Sequence, residues 1–164
     1  MGNTSSSWAK RPPVSTTSSV FTTEATTAVH NFVVKNYSLL DGVGADVCVT
    51  SSTFSVGGYD WCINFYPGGD ARAPAGYAAA FLHLCGGAPA TGVMAKFTLS
   101  VRKQDGKVHR DCSPLIITGT FESAAMGWGN VRIIKKSKLR EDCFTIRCDL
   151  AVIQNPIQEE MLPN

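Results

Sequence analysis

Between residues 26 and 153 the apolar positions fall in short runs separated by Gly and Pro, and in the clearest runs they alternate with polar ones. In residues 143–153, Phe144, Ile146, Cys148, Leu150 and Val152 share one face, while Thr145, Arg147 and Asp149 take the other. Strand side chains alternate between faces, so this run predicts an antiparallel strand with one buried and one wet side. Residues 96–102 repeat the pattern, with Phe97, Leu99 and Val101 set against Lys96, Thr98, Ser100 and Arg102. Gln104-Asp105-Gly106-Lys107 follows, and its Asp-Gly pair predicts a hairpin turn. In residues 60–66, Trp61, Ile63 and Phe65 alternate with Cys62 and Asn64 until Pro67-Gly68-Gly69 ends the run.

Weaker runs cover residues 29–36, 47–56, 77–84, 108–112 and 115–121. The run 77–84 also fits a short helix, because it holds three alanines, but glycines bound it closely. A helical turn is expected near residues 133–139. Strands at roughly 8–12-residue spacing predict an all-β antiparallel sandwich or barrel of about eight strands. Its expected core includes Phe32, Phe54, Trp61, Ile63, Phe65, Leu99, Val101, Ile146, Leu150 and Val152. Residues 1–25 are rich in Ser, Thr and Pro; they cannot bury enough apolar surface to offset the entropy of ordering, and they read as a flexible tail.

Composition narrows the function classes. The 164 residues suit one domain, and a net charge of +2 is too small for the dense basic face of a nucleic-acid binder, so no nucleic-acid partner is expected. No stretch approaches the roughly 18 apolar residues of a membrane helix. The opening Met1-Gly2-Asn3-Thr4-Ser5-Ser6 meets the pattern for acylation at Gly2, set against a Ser/Thr-rich tail that begins Met-Gly by chance. The second reading is preferred, and no membrane partner is expected. The polar N-terminus has no signal-peptide core, so the expectation is an intracellular chain, nuclear or cytoplasmic, with six reduced cysteines.

The candidate chemistry points away from catalysis. The cysteines are scattered, and the nearest pair, Cys143 and Cys148, is an odd number apart in one strand, so no metal site is expected. There is no Gly-x-Ser-x-Gly elbow and no phosphate loop, and His30, His83 and His109 have no acid beside them in sequence. A catalytic triad is recognised by geometry, but nothing here suggests one, and no catalytic residue or cofactor is expected. The basic cluster of Arg132, Lys135, Lys136, Lys138 and Arg140 reads as a solvated loop before the last strand, or as a rim for acidic segments. In Ala125-Met126-Gly127-Trp128-Gly129-Asn130, a tryptophan stands between glycines in what reads as a polar loop. It is either an interface anchor or a plug on the edge of the core.

Several segments, in order, resemble the MATH (TRAF-homology) domain of the plant MATH-BTB proteins and the animal speckle-type POZ protein. They are His30-Asn31-Phe32, Asn36-Tyr37-Ser38, Ser51-Ser52-Thr53-Phe54-Ser55 and Gly58-Tyr59-Asp60-Trp61-Cys62-Ile63, then Ala95-Lys96-Phe97, Trp128-Gly129 and Asp142-Cys143-Phe144-Thr145-Ile146-Arg147-Cys148. The resemblance covers residues 26–153 and implies an eight-stranded antiparallel TRAF-like sandwich that holds an extended Ser/Thr-rich segment of a client protein in a shallow groove. In that family an attached BTB domain recruits cullin-3, so that the client becomes ubiquitinated; the alternative is a stand-alone interaction module without that coupling. Residues 154–164 fall where the linker to a BTB domain would begin, and no BTB domain is present in the sequence.

Carried over by position, the family's groove aromatics fall on Phe81, Phe97 and Trp128, with Gly127, Gly129 and Asn130 beside the last. A groove tyrosine of the speckle-type protein falls near Gly119, an aromatic falls on Asn130, and the loop before Trp128 is one residue longer here. Strict alternation would put Phe97 in the core beside Leu99 and Val101. As a groove residue it needs a bulge, or a groove floor built with those neighbours, and the groove is the expectation.

Overall fold

The computed structural model describes residues 11–123 and 127–154. Gly2, Asn3, Ala125, Met126 and the expected linker from residue 155 onward lie outside them. Among the described residues nine strands run in chain order as β1 (Ala25–Lys35), β2 (Val49–Thr50), β3 (Phe54–Val56), β4 (Tyr59–Tyr66), β5 (Tyr77–Cys85), β6 (Val93–Arg102), β7 (Leu115–Phe121), β8 (Gly127–Lys135) and β9 (Cys143–Ile153). One sheet has the order β1-β9-β6-β7, and the other β2-β4-β5-β8 with β3 also on β4. Every strand pairing is antiparallel. This is the expected all-β sandwich, with two of the strands only two or three residues long.

The alternating run at 143–153 becomes β9, held between β1 and β6. Ile146 lies opposite Phe32 and Val101, and Leu150 opposite Ala28 and Phe97, so apolar rows cross the sheet on one face. Facing them are Trp61, Ile63 and Phe65 of β4 and Ala80, Leu82 and Leu84 of β5, all essentially without exposure. Two edge-to-face pairs lock the layers together. Trp61 meets Phe121 at 5.0 Å and 84°, and Phe65 meets Phe144 at 5.7 Å and 74°. The Trp61 indole N–H donates to the Val56 carbonyl at 3.1 Å, so its polar handle is satisfied inside the core.

Several expectations need correction. Residues 127–130, expected in a polar loop around Trp128, instead open β8, which pairs with β5. Residues 108–112 are no strand: a single bridge joins Val108 to Arg102, and His109 turns inward instead. The Asp-Gly turn does form, with Gly106 at φ 83° and Lys103 N–H bonded to the Lys107 carbonyl, but no second hairpin strand follows. The run 47–56 breaks at Ser51, whose hydroxyl oxygen accepts the Ile63 N–H in place of a backbone carbonyl. Strand β1 starts at Ala25 and residues 11–24 lie exposed outside any regular element, although Glu24 still accepts from Gln154 N–H. Phe32 and Phe54 are only half-buried, with Phe54 stacked on His30 at 4.1 Å. The helical turn near 133–139 is a 3-10 turn at Lys136–Lys138.

The placement of Phe97 is also corrected. It is 1% exposed and points into the core, because β6 keeps an unbroken register with both neighbours and no bulge re-aims it. Cys143 and Cys148 take opposite faces of β9. All six cysteines are free thiols, and burial pushes Cys62 and Cys148 up to about 12, so both stay protonated. After β4, Gly69 N–H closes a turn on the Tyr66 carbonyl at 3.0 Å, and the Asp70 carboxylate accepts the Arg72 backbone N–H (2.8 Å), Nε (3.0 Å) and Nη2 (2.6 Å).

Ile146→Ala, at a site with no exposure and apolar partners on both sides, is expected to destabilise the fold by about 2–5 kcal/mol in urea unfolding. Full stability in that variant would contradict the register. Hydrogen bonds from Arg72 hold the Asp70 carboxyl at about 2, below its ordinary 3.8, so the fold favours the ionised form. The stabilisation is therefore complete above pH 3.8 and fades as pH falls through 2. The stability gap between the protein and Asp70→Asn should follow that course in melts from neutral pH downward, and a gap independent of pH would refute the linkage.

Candidate functional site

Strands β7 and β8 are the last strands of opposite sheets, and the chain passes from one to the other between Phe121 and Gly127. Their two open edges therefore lie on the same side of the sandwich. On β8, Trp128 sits opposite the buried Leu82 and so projects from the core-facing side. With no further strand beyond β8 among the described residues, its ring reaches across to β7 and lies on Gly119. A Cβ at Gly119 would fall 2.9 Å from three indole atoms, so only glycine leaves room for the ring. The indole N–H donates to the Thr120 carbonyl at 3.2 Å, and the residue stays 38% exposed. Trp128 thus closes the edge of the core and presents a face to solvent, combining the two readings its sequence context left open.

Gly127 and Gly129 flank Trp128 and, by the strand's period of two, belong to the other face. They lie opposite His83 and Phe81 of β5, whose rings rest over them. A Cβ at Gly127 would stand 2.5 Å from the His83 ring, and one at Gly129 would collide with the Ala80 carbonyl. Phe81 then meets Tyr66 edge-to-face at 5.5 Å and 84°. Tyr66, Phe81, His83 and Gly127, together with Asp46, Asp70, Arg72 and Ser123, line an open cleft of about 670 Å³. Burial lowers the His83 pKa, so the ring is neutral at pH 7. Burial raises that of Tyr66, with Cys48, Asp70 and Asp46 adding to the effect.

The six residues expected to share one groove are thus divided among three environments. Phe81 and Gly127 belong to the outer cleft (with Gly129 covered beneath Phe81), Trp128 to the mouth between the sheets, and Phe97 and Asn130 to the interior. Asn130 is 4% exposed and spends its amide on the backbone: Nδ2 donates to the Ser113 carbonyl at 3.0 Å, and Oδ1 accepts the Arg132 N–H at 2.9 Å. It ties β8 to the loop before β7 and presents no side chain to a groove. Sequence reasoning missed the open edge of β7. Because Thr120 turns its carbonyl to Trp128, away from β6, the pleat turns the peptide groups of Thr118 and Ile116 to the same open edge. Ile116 there is 72% exposed. Only the apolar run Leu115-Ile116-Ile117 hinted at this edge. Asp46, Tyr66, Asp70 and Arg72 carried no signal, since they come from the segment before β2, from β4 and from the loop after it, and meet only in the fold.

The remaining candidates take other roles. His109 is 4% exposed; its Nδ1 accepts the Asp111 N–H at 3.2 Å, and its Nε2 lies 3.0 Å from Glu141 Oε1. Both ring nitrogens are engaged, so the ring fastens two loops and leaves no free nitrogen to act as a base. The basic cluster is exposed around the 3-10 turn, with Arg132 over the Tyr77 ring at 5.9 Å and Lys136 Nζ on the Gly68 carbonyl at 3.3 Å. Along β8, Arg132 stands four residues from Trp128, roughly 13 Å away, and Lys135 seven, roughly 23 Å.

Comparison with known proteins agrees with this architecture. A family model described as MATH domain matches residues 29–150, from within β1 to within β9. BTB/POZ and MATH domain-containing protein 4 of Arabidopsis thaliana is 33% identical over 159 residues, covering 89% of this chain and 34% of that protein. Protein 6 of the same series is 34% identical over 152 residues, covering 85% and 36%. This chain therefore spans about a third of the length of these curated relatives. Among solved structures, TRAF5 of Notothenia coriiceps shares the fold with a TM-score of 0.53 at 14% identity, over 82% of this chain and 77% of that one. The chain belongs to the MATH-domain family, whose fold serves protein interaction.

Proposed function

We propose that the open edge formed by β7 and β8 receives an extended Ser/Thr-rich segment of a client protein, seated on Trp128. The observation that carries this reading is a 38%-exposed tryptophan fixed at the mouth between two sheets, beside a strand edge whose peptide groups pair with no other strand among the described residues. Tryptophan covers much area with few rotamers to freeze, which suits an anchor. An added strand would draw affinity from the peptide groups of Ile116 and Thr118, and specificity from the side chains around them. The bond from Trp128 already occupies the Thr120 carbonyl, so the added strand would pair below that residue.

On this reading the bound client is delivered for cullin-3-dependent ubiquitination through a BTB domain, in the nucleus or cytoplasm. Support for that coupling comes from the names of the relatives, which join BTB/POZ and MATH domains. Within this chain the partner is the client segment itself.

Calorimetric titration with Ser/Thr-rich peptides is expected to show saturable binding that weakens tenfold or more, about 1.4 kcal/mol, in Trp128→Ala. Thr118→Pro should weaken it similarly, since proline removes an edge N–H that an added strand needs while an edge strand tolerates it. Unchanged affinity in both variants, each shown folded by its melt, would sink the proposal.

A further inference from the structure

The cleft on the outer face of the second sheet holds a charge and shape combination that the seat at Trp128 leaves unused. Tyr66 and Phe81 stand at 84° with ring centroids 5.5 Å apart, and their faces form a corner. Asp46 and Asp70 line the same cleft. Arg72 is its only lysine or arginine among the described residues, and Asp70 grips it through Nε and Nη2 at 3.0 and 2.6 Å. Asp46 uses Oδ1 to accept the Ala71 N–H at 3.0 Å, and its second oxygen has no hydrogen bond among the described residues. His83, which completes the wall, is held neutral by burial. The cleft therefore carries one carboxylate in excess of its cations, next to two aromatic faces.

We propose that this cleft is a subsite for the cationic side chain of a lysine or arginine in the client segment. Aromatic faces attract a cation through their quadrupole, and a carboxylate beside them completes its recognition. An anionic group such as a phosphate would meet uncompensated negative charge there. A cleft of about 670 Å³ leaves ample room for one long basic side chain. Its place beside the peptide seat follows from β8 itself: Gly127 borders the cleft and Trp128 the mouth, so one residue separates the two faces. The identity of the occupant rests on the peptide-receptor reading; the cleft's preference for a cation does not.

Nuclear magnetic resonance of the ¹⁵N-labelled chain tests both. N-acetyl-arginine methylamide is expected to shift the amide signals of Arg72, His83 and Gly127 saturably, and the citrulline counterpart, equal in shape but uncharged, to bind about tenfold more weakly or not at all. Asp46→Asn should erase that difference. Asparagine tolerates the φ of 65° at this position, and its carbonyl still accepts the Ala71 N–H, so the loop keeps its shape. Phe81→Leu should weaken arginine binding as well. Equal binding of the two derivatives, shifts centred elsewhere, or an Asp46→Asn variant that still discriminates would overturn the cation site. Ser/Thr-rich peptides differing only in one arginine or citrulline then test the occupant. Tighter binding of the arginine peptide supports it, and equal affinities overturn it. If neither peptide binds while the arginine derivative still does, the peptide seat fails and with it the assignment to a client, leaving a site for a free cation.

Discussion

The edge-to-face contacts between the sheets are what the rest of the molecule depends on. Trp61 and Phe65 on β4 reach across to Phe121, the last residue of β7, and Phe144, the second of β9. Each such pair contributes about 0.5–1.5 kcal/mol beyond the area it buries, small beside the burial of the rings themselves. What the geometry adds is direction. It fixes how far the two layers slide past each other, and so where the open edges of β7 and β8 come to lie. A tryptophan on one edge can bond a carbonyl on the other only because this offset is held.

At that edge the strand's period of two separates roles within three consecutive residues. Trp128 turns toward the interior and, having no strand beyond it, covers β7. Its glycine neighbours turn outward and accept the rings of His83 and Phe81. Glycines weaken a strand by leaving the sheet without side chains to pack, and the overlying rings restore that packing. The same residues that made this segment look like a loop are the ones that let it pair.

The two departures from the family pattern acquire physical meaning here. Gly119, where a groove tyrosine of the speckle-type protein would fall, is the floor on which the indole lies, so Trp128 occupies space a larger side chain would fill. Asn130, where an aromatic would fall, is buried and bonded to the backbone on both sides.

The strands with clean alternation were legible from sequence alone. In β4, β6 and β9 the pleat forces one apolar face, and that face can go only inward; the family was legible too, because its segments keep their order along the chain. Strand β8 was not legible, since glycines and a tryptophan have no period until rings from β5 lie over them. Phe97 shows the limit of positional transfer: local alternation placed it in the core, the resemblance placed it in the groove, and the unbroken register of β6 decided for the core. The cleft could not be read at all, because it gathers Tyr66, Phe81 and His83 from the paired β4 and β5, Asp70 and Arg72 from the loop beyond β4, and Asp46 from before β2. Sequence determines which face of a strand is apolar, since that depends on neighbours two residues away. Which edge stays open, and what gathers beside it, depends on contacts between strands far apart in the chain.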